Sequence, residues 1–302
     1  MPRLGFLEGE HISGIKKKVL ANGISVFLEY LPEHKKVIFL VGLGVGSRND
    51  PPELAGISHF LEHLQFQSNR FRSADDINED LEEVGTDFDA GTDFDSTVFY
   101  TIGYPRYLGR SIKILYEALT NFEYNENELE RERLVVLTEL KKSLDSPEIY
   151  YFDHLFIPAL LRKTPLEKPI LGTIKALKKI RKEDLIFQKR KYYLPQNMII
   201  FVCGKFEEEA LLRKLEKTFG HLKPRHLEIE KEKIPLANRY RVVFKHRKNL
   251  KLAYLALGYR VPGYNHVDSL KFLLLESILS GGASSRLYKK LRSEKGIGYN
   301  DL

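Results

Sequence analysis

The sequence has one cysteine, no tryptophan and two methionines in 302 residues. A lone cysteine, Cys203, excludes an internal disulfide and any cysteine-based metal cluster. It lies in the apolar run MIIFVCG, which marks it as a thiol packed in a strand rather than a nucleophile. No stretch has the ~20 consecutive apolar residues needed to span a bilayer. The opening MPRLGFLEGEHISGIKKK lacks the continuous apolar core of a secretory signal. These absences lead us to expect a cytoplasmic protein with no membrane partner. Strong charge asymmetry is also missing. The formal net charge of +7 arises from 48 Lys and Arg set among 41 Asp and Glu. The densest basic stretch, KALKKIRKED, together with the preceding Ile174, places Ile174, Leu177 and Ile180 at helical spacing and reads as a solvated helix face, so no specific nucleic-acid partner is expected.

Apolar residues make up 43% of the chain, with 16 Tyr and 18 Phe, enough to build a substantial core. Residues 16–31 read as two strands around an Asn-Gly turn, and KVIFLVGLGVGS as a third strand. The double proline of PPELAGISHFLEHLQFQ predicts a helix start, with Leu54, Ile57, Leu61 and Leu64 near helical spacing. Ser73 is an N-cap for a helix that stops at Gly85. TDFDAGTDFDSTVFYTIG alternates as a hairpin, residues 105–121 form an amphipathic helix, and NENELERERLVVLTELKKSL is a long one. Two more helices, a turn at Pro195, the strand NMIIFVCG and a helix near 206–219 follow. The pattern predicts an α+β fold of two related domains, each a mixed or antiparallel sheet packed by helices. The expected boundaries are residues 1–225 for the first, a charged linker at 226–238, and 239–302 for the start of a second, incomplete one. In that second part RYRVVFKH and KLAYLALGY read as strands, and DSLKFLLLESILSGG and SSRLYKKLRSEKG as helices.

Chemistry concentrates in residues 59–63, His-Phe-Leu-Glu-His. On a helix His59 and His63 lie one turn apart on one face, with Glu62 beside them. Two imidazoles on one face suit a borderline cation such as zinc. A neighbouring carboxylate can take a proton from a metal-activated water, the arrangement metal-assisted peptide hydrolysis requires. The order H-x-x-E-H is the inverzincin pattern. A catalytic zinc needs a third protein ligand, and the helix ELERERLVVLTELKK offers two acids on one face, Glu132 and Glu139, close to Val135 and Val136. Glu126, Glu128 and Glu130 read as ordinary surface pairing. His11, His34, His154, His221, His226, His246 and His266 lack ligand spacing.

HFLEHLQFQ followed by ERERLVVLTEL resembles the pitrilysin or insulinase-like peptidases, a family that includes the mitochondrial processing peptidases. KVLANGISVFLE, VGSRNDPPELAGISHFLEH, KPILGT at 168–173, YYLPQNMIIFVCG and LSGGASSRLYKKLRSEKGIGY extend the resemblance over essentially the whole chain. The resemblance implies Zn²⁺ held by His59, His63 and Glu139, the last 76 residues after His63, with Glu62 as general base and Glu132 supporting a ligand from behind. It also implies that Arg292 and Tyr299 help bind substrate, and that an extended peptide adds as a strand along Phe88–Phe94, through Asp89, Ala90, Gly91 and Thr92. Where the family usually has Asn-Ala, this chain has Asp89-Ala90, among Asp87, Asp93 and Asp95. A charge there favours basic substrates or weakens binding; the equal alternative is an acid-rich hairpin loop with no function. Family members continue past the tyrosine, so either the sequence is a fragment or a partner in a homo- or heterodimer completes the cavity, besides the expected peptide substrates. A rival expectation is a non-catalytic, peptide-binding subunit of a processing-peptidase-like complex.

Overall fold

The computed structural model describes residues 14–121, 123–225, 234–236, 240–248 and 250–297. The described residues fall into two compact units. One holds those within 10–232 and 243–256, the other those within 233–242 and 257–302.

The first unit is a six-stranded mixed sheet packed by helices. Its strands are β1 (Ile15–Val19), β2 (Ser25–Tyr30), β3 (Val37–Leu43), β4 (Asp87–Thr92), β5 (Thr97–Gly103) and β6 (Met198–Gly204), in the order β1-β2-β6-β3-β5-β4. Only β2 and β6 run parallel; the other neighbours are antiparallel. Alternation fixes the faces: Val26 and Leu28, Val37, Phe39 and Val41, and Ile200 and Val202 are all buried. The helices that close on this face are α1 (Ile57–His63), α2 (Ala74–Glu82), α3 (Leu108–Thr120) and α4 (Glu126–Asp145). Short turns α5 (Pro147–Ile149), α6 (Ile157–Leu160) and α7 (Ile174–Leu177) lead to α8 (Lys182–Tyr192) and, after β6, α9 (Glu208–Lys217). Their apolar stripes, including Ile112, Leu115, Leu140, Leu185 and Leu215, join one core with the sheet. Ser73 caps α2 as expected, its Oγ accepting from Asp76 N at 3.1 Å, and at the start of α4 Asn125 Oδ1 accepts from Asn127 N at 2.9 Å.

Three expectations are corrected. The double proline begins a 3₁₀ turn, Pro52–Leu54, and the helix starts only at Ile57. Gly56 intervenes with φ +96, a left-handed conformation that cannot propagate a right-handed helix. Cys203 lies in β6 but is half-buried, with Sγ 3.3 Å from Glu29 Oε2. Burial pushes its thiol up to about 11, the opposite of what a nucleophile needs. Finally, residues 240–248 and 250–262 contain no strand among the described residues, and Tyr240 and Leu255 are each 95% exposed. Both segments alternate well, but a strand is stabilised by its neighbours across the sheet, and these have none.

The second unit contributes α10 (Ser269–Ser280) and a π-helical segment, Tyr288–Glu294, in the two places where helices were expected. Leu270 and Leu274 of α10 are exposed. Among the described residues no helix is long and apolar enough to cross a membrane.

Candidate metal centre

Helix α1 is driven into the core by Ile57, Phe60 and Leu61, all but inaccessible to solvent. That burial fixes the rotation of the helix and turns His59, Glu62 and His63 toward α4 and β4. The helix start is held from outside. The Asp50 carboxylate accepts from Gly56 N at 2.8 Å, Ser58 N at 3.3 Å and Ser58 Oγ at 2.6 Å, satisfying main-chain donors that have no partner within the helix. Burial raises the Asp50 carboxyl to about 7 in spite of these donors and of Lys168 nearby. The left-handed Gly56 packs directly on Leu171 and Gly172. A Cβ on Gly56 would meet Leu171 O at 2.9 Å. Beyond the other end of α1, the buried Lys189 of α8 donates to Gln65 Oε1 and to the carbonyl oxygens of Ala118 and Asn121.

The structure brings His59, His63 and Glu139 together, with one potential ligand atom from each within 4.8 Å of the others. Glu139 Oε2 stands 3.6 Å from His59 Nε2 and 3.4 Å from His63 Nε2. The two rings are 4.6 Å apart and nearly perpendicular. Those separations exceed a good hydrogen bond. They match the edge of a tetrahedron, roughly 3.3 Å, set by ligand–zinc distances near 2.0–2.1 Å. The electrostatics also suit a cation. Burial, with the neighbouring His63, lowers His59 to about 4, so its ring is neutral and offers a lone pair. Glu139 is held below the usual carboxylate range, chiefly by the adjacent His63. Two nitrogens and one carboxylate oxygen therefore fit a zinc ion with a fourth position left for water.

Glu132, one of the two acids on the α4 face, lies behind the site. Its Oε1 is 2.8 Å from His63 Nδ1, and its Oε2 accepts from Gln67 Nε2 at 2.9 Å. A carboxylate on Nδ1 fixes the tautomer that presents Nε2 to a metal. Burial alone would lower His63, but Glu132, Glu139 and Glu62 outweigh it and raise the imidazole to about 9. His59 lacks such support among the described residues: its Nδ1 is buried with no hydrogen-bond partner there. Glu62 is buried beside the histidines. Thr92 Oγ1, at the end of β4, donates to Glu62 Oε2 at 2.6 Å. Burial raises the Glu62 carboxyl, the direction that suits a group taking up a proton near neutrality.

The edge residues Asp89, Ala90, Gly91 and Thr92 all lie in β4, at the end of the sheet next to α1. Arg292 lies in the second unit, with its guanidinium 5.8 Å from the Tyr288 ring, and Tyr299 is outside the described residues. His154 meets Ser143 Oγ at 2.7 Å, and His266 meets Asp268. His11 and His226 lie outside the described residues. Sequence reasoning missed Asp50, Gln67 and the Thr92–Glu62 bond. The only local trace of Asp50 is an acid just before a proline pair.

Residues 25–174 match the family model described as Insulinase (Peptidase family M16), and residues 179–300 match one described as Peptidase M16 inactive domain. The chain is 30% identical to the uncharacterized zinc protease YmxG of Bacillus subtilis, over 95% of this chain and 69% of that protein. It is 31% identical to an uncharacterized zinc protease of Rickettsia felis, over 93% and 67%. Its structure is similar to that of a protease from Helicobacter pylori, with a TM-score of 0.86 and 27% identity over 93% of this chain and 68% of the other. Pitrilysin shares the fold, with a TM-score of 0.67 over 74% of this chain and 24% of pitrilysin. Motif, fold and relatives agree: the chain belongs to the insulinase family of peptidases, M16.

Proposed function

We propose that the chain is a zinc-dependent endopeptidase acting on peptides or small unfolded proteins. The observation that carries this reading is the His59–His63–Glu139 triangle, with Glu62 alongside and Glu132 behind. His59, His63 and Glu139 would hold the ion, which when bound supplies a Lewis acid and lowers the pKa of water. Glu62 takes a proton from the attacking water as its oxygen bonds to the scissile carbonyl carbon. It then passes that proton to the departing amide nitrogen as the C–N bond breaks. Thr92 holds the Glu62 carboxylate in place, and Glu132 holds the His63 ring. Ala90 and its neighbours in β4 would bind the substrate backbone as an added strand. Arg292 and Tyr299 would grip substrate from residues 239–302, in a second domain joined to residues 1–225 through a linker at 226–238.

The alternative is a peptide-binding subunit without turnover. It draws support from the match of residues 179–300 to a domain described as inactive. A partner subunit completing the cavity is compatible with either reading. Zinc content measured alongside cleavage of a quenched fluorescent peptide separates them. One zinc per chain with turnover abolished by Glu62→Gln is the expected result. Zinc with no turnover in the native assembly would favour the alternative, and the absence of zinc would end the peptidase reading.

A further inference from the structure

The edge strand carries a charge whose geometry bears on which peptides it accepts. Asp93 N donates to Ser96 O at 2.8 Å, closing the β4–β5 hairpin. Counting back in twos along the register, Asp87↔Ile102, Asp89↔Tyr100 and Gly91↔Val98 are the pairs whose main-chain groups bond each other. Phe88, Ala90 and Thr92 therefore turn their main-chain groups to the open edge. Their side chains face the helices: Phe88 packs against Ile77, Leu81 and Ile114, and Thr92 bonds Glu62. Asp87 and Asp89 lie on the opposite face, both exposed.

The acids of this hairpin are not equivalent. Asp87 pairs with Lys36 at 3.1 Å and Asp95 with Arg48 at 2.5 Å. Asp89 meets no Lys or Arg among the described residues. Its Oδ1 accepts from Ala90 N at 2.8 Å and its Oδ2 from Tyr100 Oη at 3.1 Å. The carboxylate is thus fixed on the edge, capping the very N–H that an incoming peptide carbonyl would use, with lone pairs still facing solvent.

We propose that Asp89 is a specificity-determining residue that selects peptides carrying Lys or Arg opposite it on β4. The inference rests on the reading of β4 as the strand that docks substrate. A peptide residue bonded to Ala90 has its neighbour opposite Asp89, in a closely spaced pair whose side chains share a face. A cation there gains the carboxylate's free lone pairs and draws it off the Ala90 N–H. An acid there meets a like charge and leaves the N–H blocked. The chain as a whole is positive, at +7, so this preference is local to the edge.

The test is a series of quenched peptides with Lys or Glu placed at each position in turn. Cleavage is read in the zinc-loaded full chain, and binding by anisotropy in a Glu62→Gln background, each with Asp89, Asp89→Asn and Asp89→Lys. With Asp89 present, Lys is expected to be preferred over Glu by about tenfold at one position. Asp89→Asn should bring the ratio near one, and Asp89→Lys should invert it. Equal treatment of both peptides at every position overturns the proposal. So does an unchanged ratio in Asp89→Asn, the milder variant, with native circular dichroism. Selective binding without cleavage would count against the peptidase reading and leave this inference standing. Cleavage without selectivity would do the reverse.

Discussion

The two helices that meet at the metal centre are held in different ways. Helix α1 is embedded, with Ile57, Phe60 and Leu61 in the core and both ends tied by buried polar groups. Helix α4 lies half in solvent: Leu134 and Val135 are exposed, and the Glu139 side chain is 44% exposed. What holds α4 is its other face, where Val136 and Leu140 are buried and Arg133 crosses the Phe60 ring to reach the carbonyls of Leu177 and Ile180. The difference separates two properties that a metal site usually mixes. Residues on α1 serve both the fold and the candidate site, whereas Glu139 faces that site from the wet side and packs little against the core.

The comparison can be broken from either helix. The largest effect is expected from Glu62→Gln, a loss of about 10³–10⁴-fold in peptide cleavage, with zinc content unchanged by metal analysis. Next, Phe60→Ala should cost about 3–5 kcal/mol in denaturant unfolding of the metal-free protein, because it opens a cavity under both helices. Asp50 gives a pH signature of similar or smaller size. Its folded carboxyl sits at about 7 against an ordinary 3.8, so it favours the fold fully below pH ~4, and that contribution disappears as pH rises through 7. Metal-free wild type should therefore lose on the order of 3–4 kcal/mol relative to Asp50→Asn between pH 4 and 8. A flat difference would mean the buried carboxylate stays charged throughout. Glu132→Gln replaces the charged acceptor behind His63 with a neutral amide oxygen and should weaken zinc affinity by about 10–100-fold in a chelator competition. Smallest of all, Glu139→Gln should leave metal-free stability within about 0.5 kcal/mol of wild type while abolishing tight zinc binding. A large loss of stability there would contradict the division between the helices.

Features specified by a few adjacent residues were legible in advance. The β1–β2 hairpin follows from Asn22-Gly23, the start of α2 from Ser73, and the shared face of His59 and His63 from four-residue spacing. Features created by distant contacts were not. Nothing near β2 announces its parallel pairing with β6, and spacing alone left Glu132 and Glu139 equivalent until the family resemblance distinguished them. Asp50 was invisible because its importance comes from the burial and left-handed turn that follow it. The segments at 240–248 and 250–262 failed in the opposite sense: the alternation was real, but among the described residues they pair with no strand.

The contact between Gly56 and the 171–172 turn, reinforced by Lys168 Nζ donating to Asp50 O across 118 residues, ties the start of α1 to a segment made much later. During synthesis at about 5–20 residues per second, the two histidines emerge several seconds before the segments that lock their helix. For the first part of that interval the nascent chain has imidazoles without the carboxylate of Glu139, and for all of it the turn at 171–172 that packs on Gly56 is missing. On the proposed reading, selective loading of the ion would belong to the finished fold, and a lesion at Gly172 is expected to lower metal uptake although His59, His63 and Glu139 are all present.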